Sequence, residues 1–277
     1  MQVYSIDAGF FKLDGGAMFG VVPKLLWQKS IPADENNLCT FTMRCMLIKD
    51  GDRNILIDTG MGDKQPEKFF NHYHPSGKNL LDALKEKELE KEDITDVILT
   101  HLHFDHCGGA VNKSLKPTFP NATYWTCKTH WEWAIHPNAR EKASFLKENL
   151  LPLQEHGVLK FINEPSNDRT KFNDNIDILF VNGHTKNMML PLIKFKHHTI
   201  AYMADLIPTA AHIPLPYIMG YDMFPMTTLK EKENYLKEAV QNNHILFFEH
   251  DAIHTCCTVV INDKGFSKGA EIDFNLL

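Results

Sequence analysis

No stretch of this 277-residue chain approaches the ~18 consecutive apolar residues of a membrane span, which argues against a transmembrane protein. A basic excess is missing too: 29 Lys and Arg stand against 35 Asp and Glu. The net charge of -6 has the wrong sign for a protein that tracks phosphates, so nucleic acid is not an expected partner. The six cysteines include no C-x-x-C pair, which excludes a zinc ribbon and a thioredoxin-like site, and the adjacent Cys256 and Cys257 do not readily bridge each other. The opening MQVYSIDAGFF lacks the basic start and apolar run of a secretory signal. These absences predict a reduced, cytoplasmic, non-membrane protein.

What is present reads as globular. Hydrophobic residues make up 43% and charged residues 23%, enough to bury a core without staples. Nothing resembles a flexible linker or a residue-level repeat, so one domain over residues 1–277 is the expectation. Strand patterns occur at residues 1–6, 38–48, 55–58, 97–100, 122–125, 155–162, 176–181, 193–195, 199–203, 245–248 and 259–262, and at Gly265 with the tail. Helical patterns occur at 80–90, 129–134, 140–149 and 226–242. Lys49-Asp50-Gly51-Asp52 and Lys196-His197-His198 are hairpin turns between strands. A Gly-rich loop spans residues 14–20. Alternating strands and helices, with hairpins in both halves, define a layered α/β class.

The dominant signal is Thr100-His101-Leu102-His103-Phe104-Asp105-His106-Cys107-Gly108-Gly109. Four potential metal ligands fall within six residues, directly after a buried strand. Imidazole nitrogens suit zinc and other borderline metals, and a carboxylate completes such sites. Period-two spacing turns His101 and His103 to one side. A helix starting there aims Asp105 and His106 at a neighbouring position, which favours two metals over one.

This motif resembles the H-x-H-x-D-H signature of the metallo-β-lactamase superfamily. Leu56-Ile57-Asp58-Thr59-Gly60, Gly183-His184-Thr185, Asp205 and Phe248-Glu249-His250-Asp251 resemble its other conserved segments, in order. The loop at 14–20 and Asp205-Leu206-Ile207-Pro208-Thr209 are similar to the branch of quorum-quenching lactonases and phosphotriesterase-like hydrolases. The resemblance implies a four-layer αββα sandwich and two divalent ions, zinc foremost, with iron, manganese or cobalt as alternatives. It assigns His101, His103 and His184 to one ion and Asp105, His106 and His250 to the other. Asp205 bridges them.

The implied chemistry is two-metal hydrolysis by a hydroxide held between the ions. Asp105 and Asp205 are the catalytic carboxylates, with Asp105 also moving a proton to the leaving group. Asp58 is expected to orient a ligand histidine by a hydrogen bond, or else to cap the strand end. Met18 and Phe19, with Trp27, are expected either in an apolar substrate pocket or in the core, and His212 either at the site or in its own loop. Trp125, Trp131 and Trp133 read as core or pocket wall, with specific contacts as the alternative. The expected substrate is a small lactone or ester resembling an acyl-homoserine lactone; aryl esters and phosphotriesters are the alternative, and a non-catalytic metal-dependent sensor or ligand-binding protein is an alternative of another class. The lactonases of this branch carry a Tyr three residues after the bridging Asp, where this chain has Pro208. A homodimer is expected from the habit of that branch.

Overall fold

A computed structural model describes residues 1–165 and 168–277 of the chain. In chain order the regular elements begin with β1 (Gln2–Asp14), α1 (Gly15–Phe19), α2 (Lys24–Trp27), β2 (Leu38–Asp50) and β3 (Arg53–Ile57). Then come α3 (Glu67–Tyr73), α4 (Leu80–Lys85), β4 (Asp96–Ile98), α5 (Phe104–Cys107), β5 (Thr123–Cys127), α6 (Lys128–Ile135), α7 (Lys147–Glu155) and β6 (Leu159–Ile162). The second half holds β7 (Arg169–Lys171), β8 (Ile176–Val181), β9 (Met188–Phe195), β10 (His198–Tyr202), α8 (Pro225–Gln241), β11 (Ile245–Phe247), β12 (Cys256–Asn262) and β13 (Gly265–Glu271). Among the described residues no helix is long and apolar enough to cross a membrane.

Contacts divide the chain into two compact units, Met1–Gly9 with Met43–Thr170, and Phe10–Thr42 with Lys171–Leu277. The strands form two mixed sheets. The first sheet runs β1-β2-β3-β4-β5-β6 and the second β13-β12-β11-β10-β9-β8-β7.

In the first unit, β2 and β3 form the expected hairpin, turned at Gly51 with φ 61°. Strands β3, β4, β5 and β6 then pair in parallel. Parallel strands are buried on both faces, which explains why residues 97–99 read as an unbroken apolar run. Ile57 pairs with Ile98, so Asp58 and the His-rich motif leave the same carboxyl edge of the sheet. That edge is where open α/β sheets place their ligand sites.

In the second unit, β9 is antiparallel to both β8 and β10, and β10 is parallel to β11. Strands β8, β10 and β11 therefore share one direction. His184, Asp205 and His250 each lie three residues beyond the end of one of them. Helix α8 starts with Pro225 at its first position and turns Thr228, Lys232, Tyr235, Leu236 and Ala239 inward, at helical spacing.

Several sequence expectations shift, among them the helix expected over 80–90, which ends at Lys85. Strand β1 extends to Asp14, through Gly9 at φ 100°, where backbone oxygens of Ser76 and Lys78 lie too close for any Cβ. The Gly-rich loop folds into the short helix α1, capped by the Asp14 carboxylate on the Ala17 N–H at 2.7 Å. The helix predicted over 140–149 is displaced to α7, and 155–158 continue that helix end instead of opening β6. The Asn138 side chain explains the displacement: its Oδ1 accepts the N–H groups of Arg140 and Glu141, closing a local turn that competes with helix.

Candidate metal centre

In the first unit the motif begins three residues beyond β4. Asp58 sits beside it in the left-handed region, φ 57°, fully buried. Its Oδ1 accepts the Thr100 N–H at 2.7 Å, and its Oδ2 accepts the Thr100 hydroxyl at 2.6 Å and His106 Nδ1 at 3.1 Å. Because the Thr100 hydroxyl hydrogen goes to Asp58, the same oxygen is left to accept from His101 Nδ1 at 3.1 Å. His103 is tied from its other end: its Nε2 donates to Glu141 Oε1 at 3.0 Å. The remaining nitrogens, His101 Nε2 and His103 Nδ1, face each other at 3.0 Å. His106 Nε2 lies 3.8 Å from Asp105 Oδ2.

In the second unit His184 Nδ1 donates to Asp222 Oδ1 at 2.9 Å, leaving Nε2 3.1 Å from Asp205 Oδ2. His250 Nδ1 donates to the Thr42 carbonyl at 2.8 Å, leaving Nε2 3.2 Å from Asp205 Oδ1. Helix α8 holds the loop under His184: Glu231 accepts the N–H groups of Asn182 and Gly183 at 2.8 and 2.9 Å. A Cβ on Gly183 would strike Thr228 at 2.3 Å, so only glycine lets that loop lie on the helix. Asp251 Oδ2 accepts the Ala210 N–H at 2.8 Å, pinning the segment after Asp205.

These donors fit divalent metal ions. Each of the five histidines spends one ring nitrogen as a donor to a fixed oxygen, so in the neutral ring the other nitrogen is a lone pair. Every one of those lone pairs faces another acceptor: a second imidazole, or a carboxylate oxygen of Asp105 or Asp205. Acceptors at 3.0–3.2 Å repel unless a cation sits with them. Two ligands of one tetrahedral zinc, at ~2.0–2.1 Å each, lie about 3.3 Å apart. The Asp205 carboxylate presents one oxygen to each of two histidines.

Helix α3 was not expected from the sequence. Its Tyr73 ring lies 4.6 Å from Phe104 and 4.9 Å from Phe69, and the Phe69 ring meets Phe104 edge-on at 5.1 Å. Burial, then the charge of Asp105, push the Tyr73 hydroxyl up to about 12, so it stays a protonated donor. Met18 and Phe19 are 1% and 0% exposed, packed in the core. Phe19 stacks on Trp27 and on His212, at centroid distances of 5.0 and 4.5 Å. His212 donates Nε2 to the Met18 carbonyl at 2.9 Å and accepts the Thr209 hydroxyl at 2.7 Å, so it braces its own loop. Burial pulls its pKa down to about 3. Pro208 offers a carbonyl to the His250 N–H at 3.1 Å.

The residues sequence reasoning missed are Thr100, Glu141, Asp222 and Glu231. Thr100 adjoins the motif and was legible in principle; the other three carry no local pattern. The first unit also holds a cavity of about 610 Å³ against Met43, Phe70, Leu80 and Val111. None of the histidines or carboxylates above lines it, although Thr59, which donates to the His106 carbonyl, and Gly109 do.

The profile described as the Metallo-beta-lactamase superfamily matches residues 44–250. The chain belongs to that superfamily, and it is a hydrolase. Its two mixed sheets with flanking helices are consistent with the αββα sandwich of the family. A probable metal-dependent hydrolase from Staphylococcus aureus superposes with a TM-score of 0.89 at 28% identity, covering 98% of this chain and 96% of that one. AidC, a dizinc quorum-quenching lactonase solved with a product, gives 0.81 at 20% identity over 98% and 94% of the two chains. An N-acyl homoserine lactonase of Bacillus thuringiensis is 25% identical over 222 residues, 75% of this chain and 80% of that protein.

Proposed function

We propose that this chain opens a lactone, or hydrolyses a related small carboxylic ester, with two divalent metal ions, zinc being the ion we assign. His101, His103 and His184 would hold one ion and Asp105, His106 and His250 the other, with Asp205 shared between them. The observation that carries the reading is the Asp205 carboxylate, whose two oxygens each oppose the lone-pair nitrogen of a different histidine. All seven ligand positions carry a metal-binding side chain, which favours turnover over a sensor that has lost it. Similarity to N-acyl homoserine lactonases supports the lactone class.

Ions bound there supply Lewis acidity, lowering the pKa of water toward neutrality and polarising a carbonyl. The protein's part is orientation and proton transfer. Asp58 and Thr100 lock His101 and His106 in the tautomer that offers Nε2. Asp105 takes one proton of the attacking water and hands it to the leaving alkoxide as the ester C–O bond breaks, so the products are an alcohol and a carboxylic acid, which ionises to the carboxylate and releases its proton to solvent. Phe69, Tyr73 and Phe104 supply an apolar wall beside the motif, and the protonated Tyr73 hydroxyl is a donor for a substrate oxygen. This gives the protein a phenol near the motif although position 208 is proline.

The test is the hydrolysis of a long-chain N-acyl homoserine lactone by protein reconstituted with zinc or manganese, followed by proton release. The expected kcat/KM is at or above ~10⁴ M⁻¹s⁻¹. A rate equal to the metal-only blank, alongside turnover of aryl esters or phosphotriesters, would overturn the lactone assignment and leave the metallohydrolase.

A further inference from the structure

His101 and His106 are held by Nδ1, close to their own backbone, and offer Nε2. His103 is the reverse: it is held at Nε2, the tip of the ring, and offers Nδ1. A ring used that way round needs a fixed acceptor beyond its tip, supplied from another part of the chain. The segment between α6 and α7 brings one. Glu141 is 2% exposed, and its Oε1 accepts His103 Nε2 at 3.0 Å. Its Oε2 accepts the Trp133 indole N–H at 2.7 Å and the Asn138 amide at 3.2 Å.

The same segment grips the motif at two further points. The Ser144 carbonyl accepts the Phe104 N–H at 3.0 Å, while the Ser144 N–H donates to the Glu141 carbonyl at 2.9 Å. The Phe145 ring lies 4.9 Å from the His103 ring. Backbone, ring face and ring tip of the motif are thus set by residues 141–145. The Asn138 turn that displaces the predicted helix is what places Glu141 there, since Asn138 Oδ1 accepts the Glu141 N–H at 3.1 Å.

We propose that Glu141 is a positioning residue for metal retention: clamped by Trp133 and Asn138, it keeps the His103 proton on Nε2 and aims the Nδ1 lone pair at the ion. The inference rests on the metallohydrolase reading above, but not on its substrate. A carboxylate behind a ligand imidazole fixes its tautomer and strengthens it as a donor, and losing such a partner costs about 10–100-fold in metal affinity. Substrate recognition is left to other residues.

The experiment titrates zinc into the metal-free full-length protein against a chromophoric chelator, and cobalt in parallel for its visible bands, in wild type, Glu141→Gln and Trp133→Phe. Glu141→Gln is expected to bind zinc about 10–100-fold more weakly, with altered cobalt bands. Trp133→Phe, which leaves the carboxylate but removes one of its clamps, is expected to shift the same way by a smaller factor. A tie that merely joined the α6–α7 segment to the motif would lower the melting temperature of the metal-free protein and leave zinc affinity alone. Zinc affinity within about twofold of wild type in folded Glu141→Gln, or in Trp133→Phe should the first variant not fold, overturns the proposal. Wild-type protein that retains no divalent ion overturns it together with the metallohydrolase reading, whereas weakened zinc binding in the variants supports it even if no lactone is turned over.

Discussion

Nε2 of His184 lies 3.1 Å from Oδ2 of Asp205, and in the neutral ring both atoms are acceptors, because the one imidazole proton is committed to Asp222 on the other side of the ring. His250 repeats the relationship on Oδ1 at 3.2 Å, with its proton on the Thr42 carbonyl. With neutral rings this arrangement calls for a cation beside the facing atoms. Asp205→Asn tests that directly. The amide can donate to one histidine, so the metal-free variant should melt no lower than the metal-free wild type. Its metal content should fall from two ions per chain to one or none, and hydrolysis should drop with it. Calorimetry and elemental analysis on the same samples read both quantities. Two retained ions and an undiminished rate would show that Asp205 bridges nothing.

Phe19 gives the opposite kind of case. It lies between Trp27 and His212 with interplanar angles of 6° and 9°, and it exposes no surface. Truncating such a ring leaves a cavity that its neighbours cannot fully close. Phe19→Ala should therefore destabilise by about 3–5 kcal/mol, seen as a lower denaturation midpoint with an unchanged slope. In the folded fraction KM should stay near wild type. A raised KM with unaltered stability would return Phe19 to the substrate pocket.

The motif was legible because its chemistry is local: four donors within six residues, after an apolar strand, need no knowledge of the fold. His184, Asp205 and His250 are single residues far apart, and only resemblance singled them out. The topology supplies what composition lacked, since each follows a strand of the same direction by three residues. The supports of the ligands were not legible. Glu141 and Asp222 carry no pattern of their own, because a buried carboxylate is chosen by the ring it faces after folding. Helix α3 escaped because its apolar residues Phe69, Phe70 and Tyr73 give too short a run to show a period. The predicted helix over 140–149 failed because one Asn side chain satisfied two backbone N–H groups that a helix would have used.

Lys232 shows how far such hidden supports reach. It is fully buried on α8, and its Nζ donates to the carbonyls of Pro214 and Tyr217, both at 2.8 Å, in the loop that leads from His212 to Asp222. Burial pulls its pKa from 10.5 to about 7, while the nearby charge of Asp222 acts in the other direction. The sign follows from proton counts. Between about pH 7 and 10.5 the unfolded chain holds a proton on this lysine that the folded chain has shed, so stability from this group rises with pH across that window. The slope cannot exceed ~1.4 kcal/mol per pH unit for one proton. Lys232→Met removes the titration and leaves the carbonyls without their donor, so the variant should be less stable at every pH. Its deficit relative to wild type should widen from pH 7.5 to 9.5. Paired urea titrations at those two pH values measure the deficit, and one that stays constant would mean that Lys232 keeps its proton in the fold, with the carbonyl bonds outweighing the cost of burial.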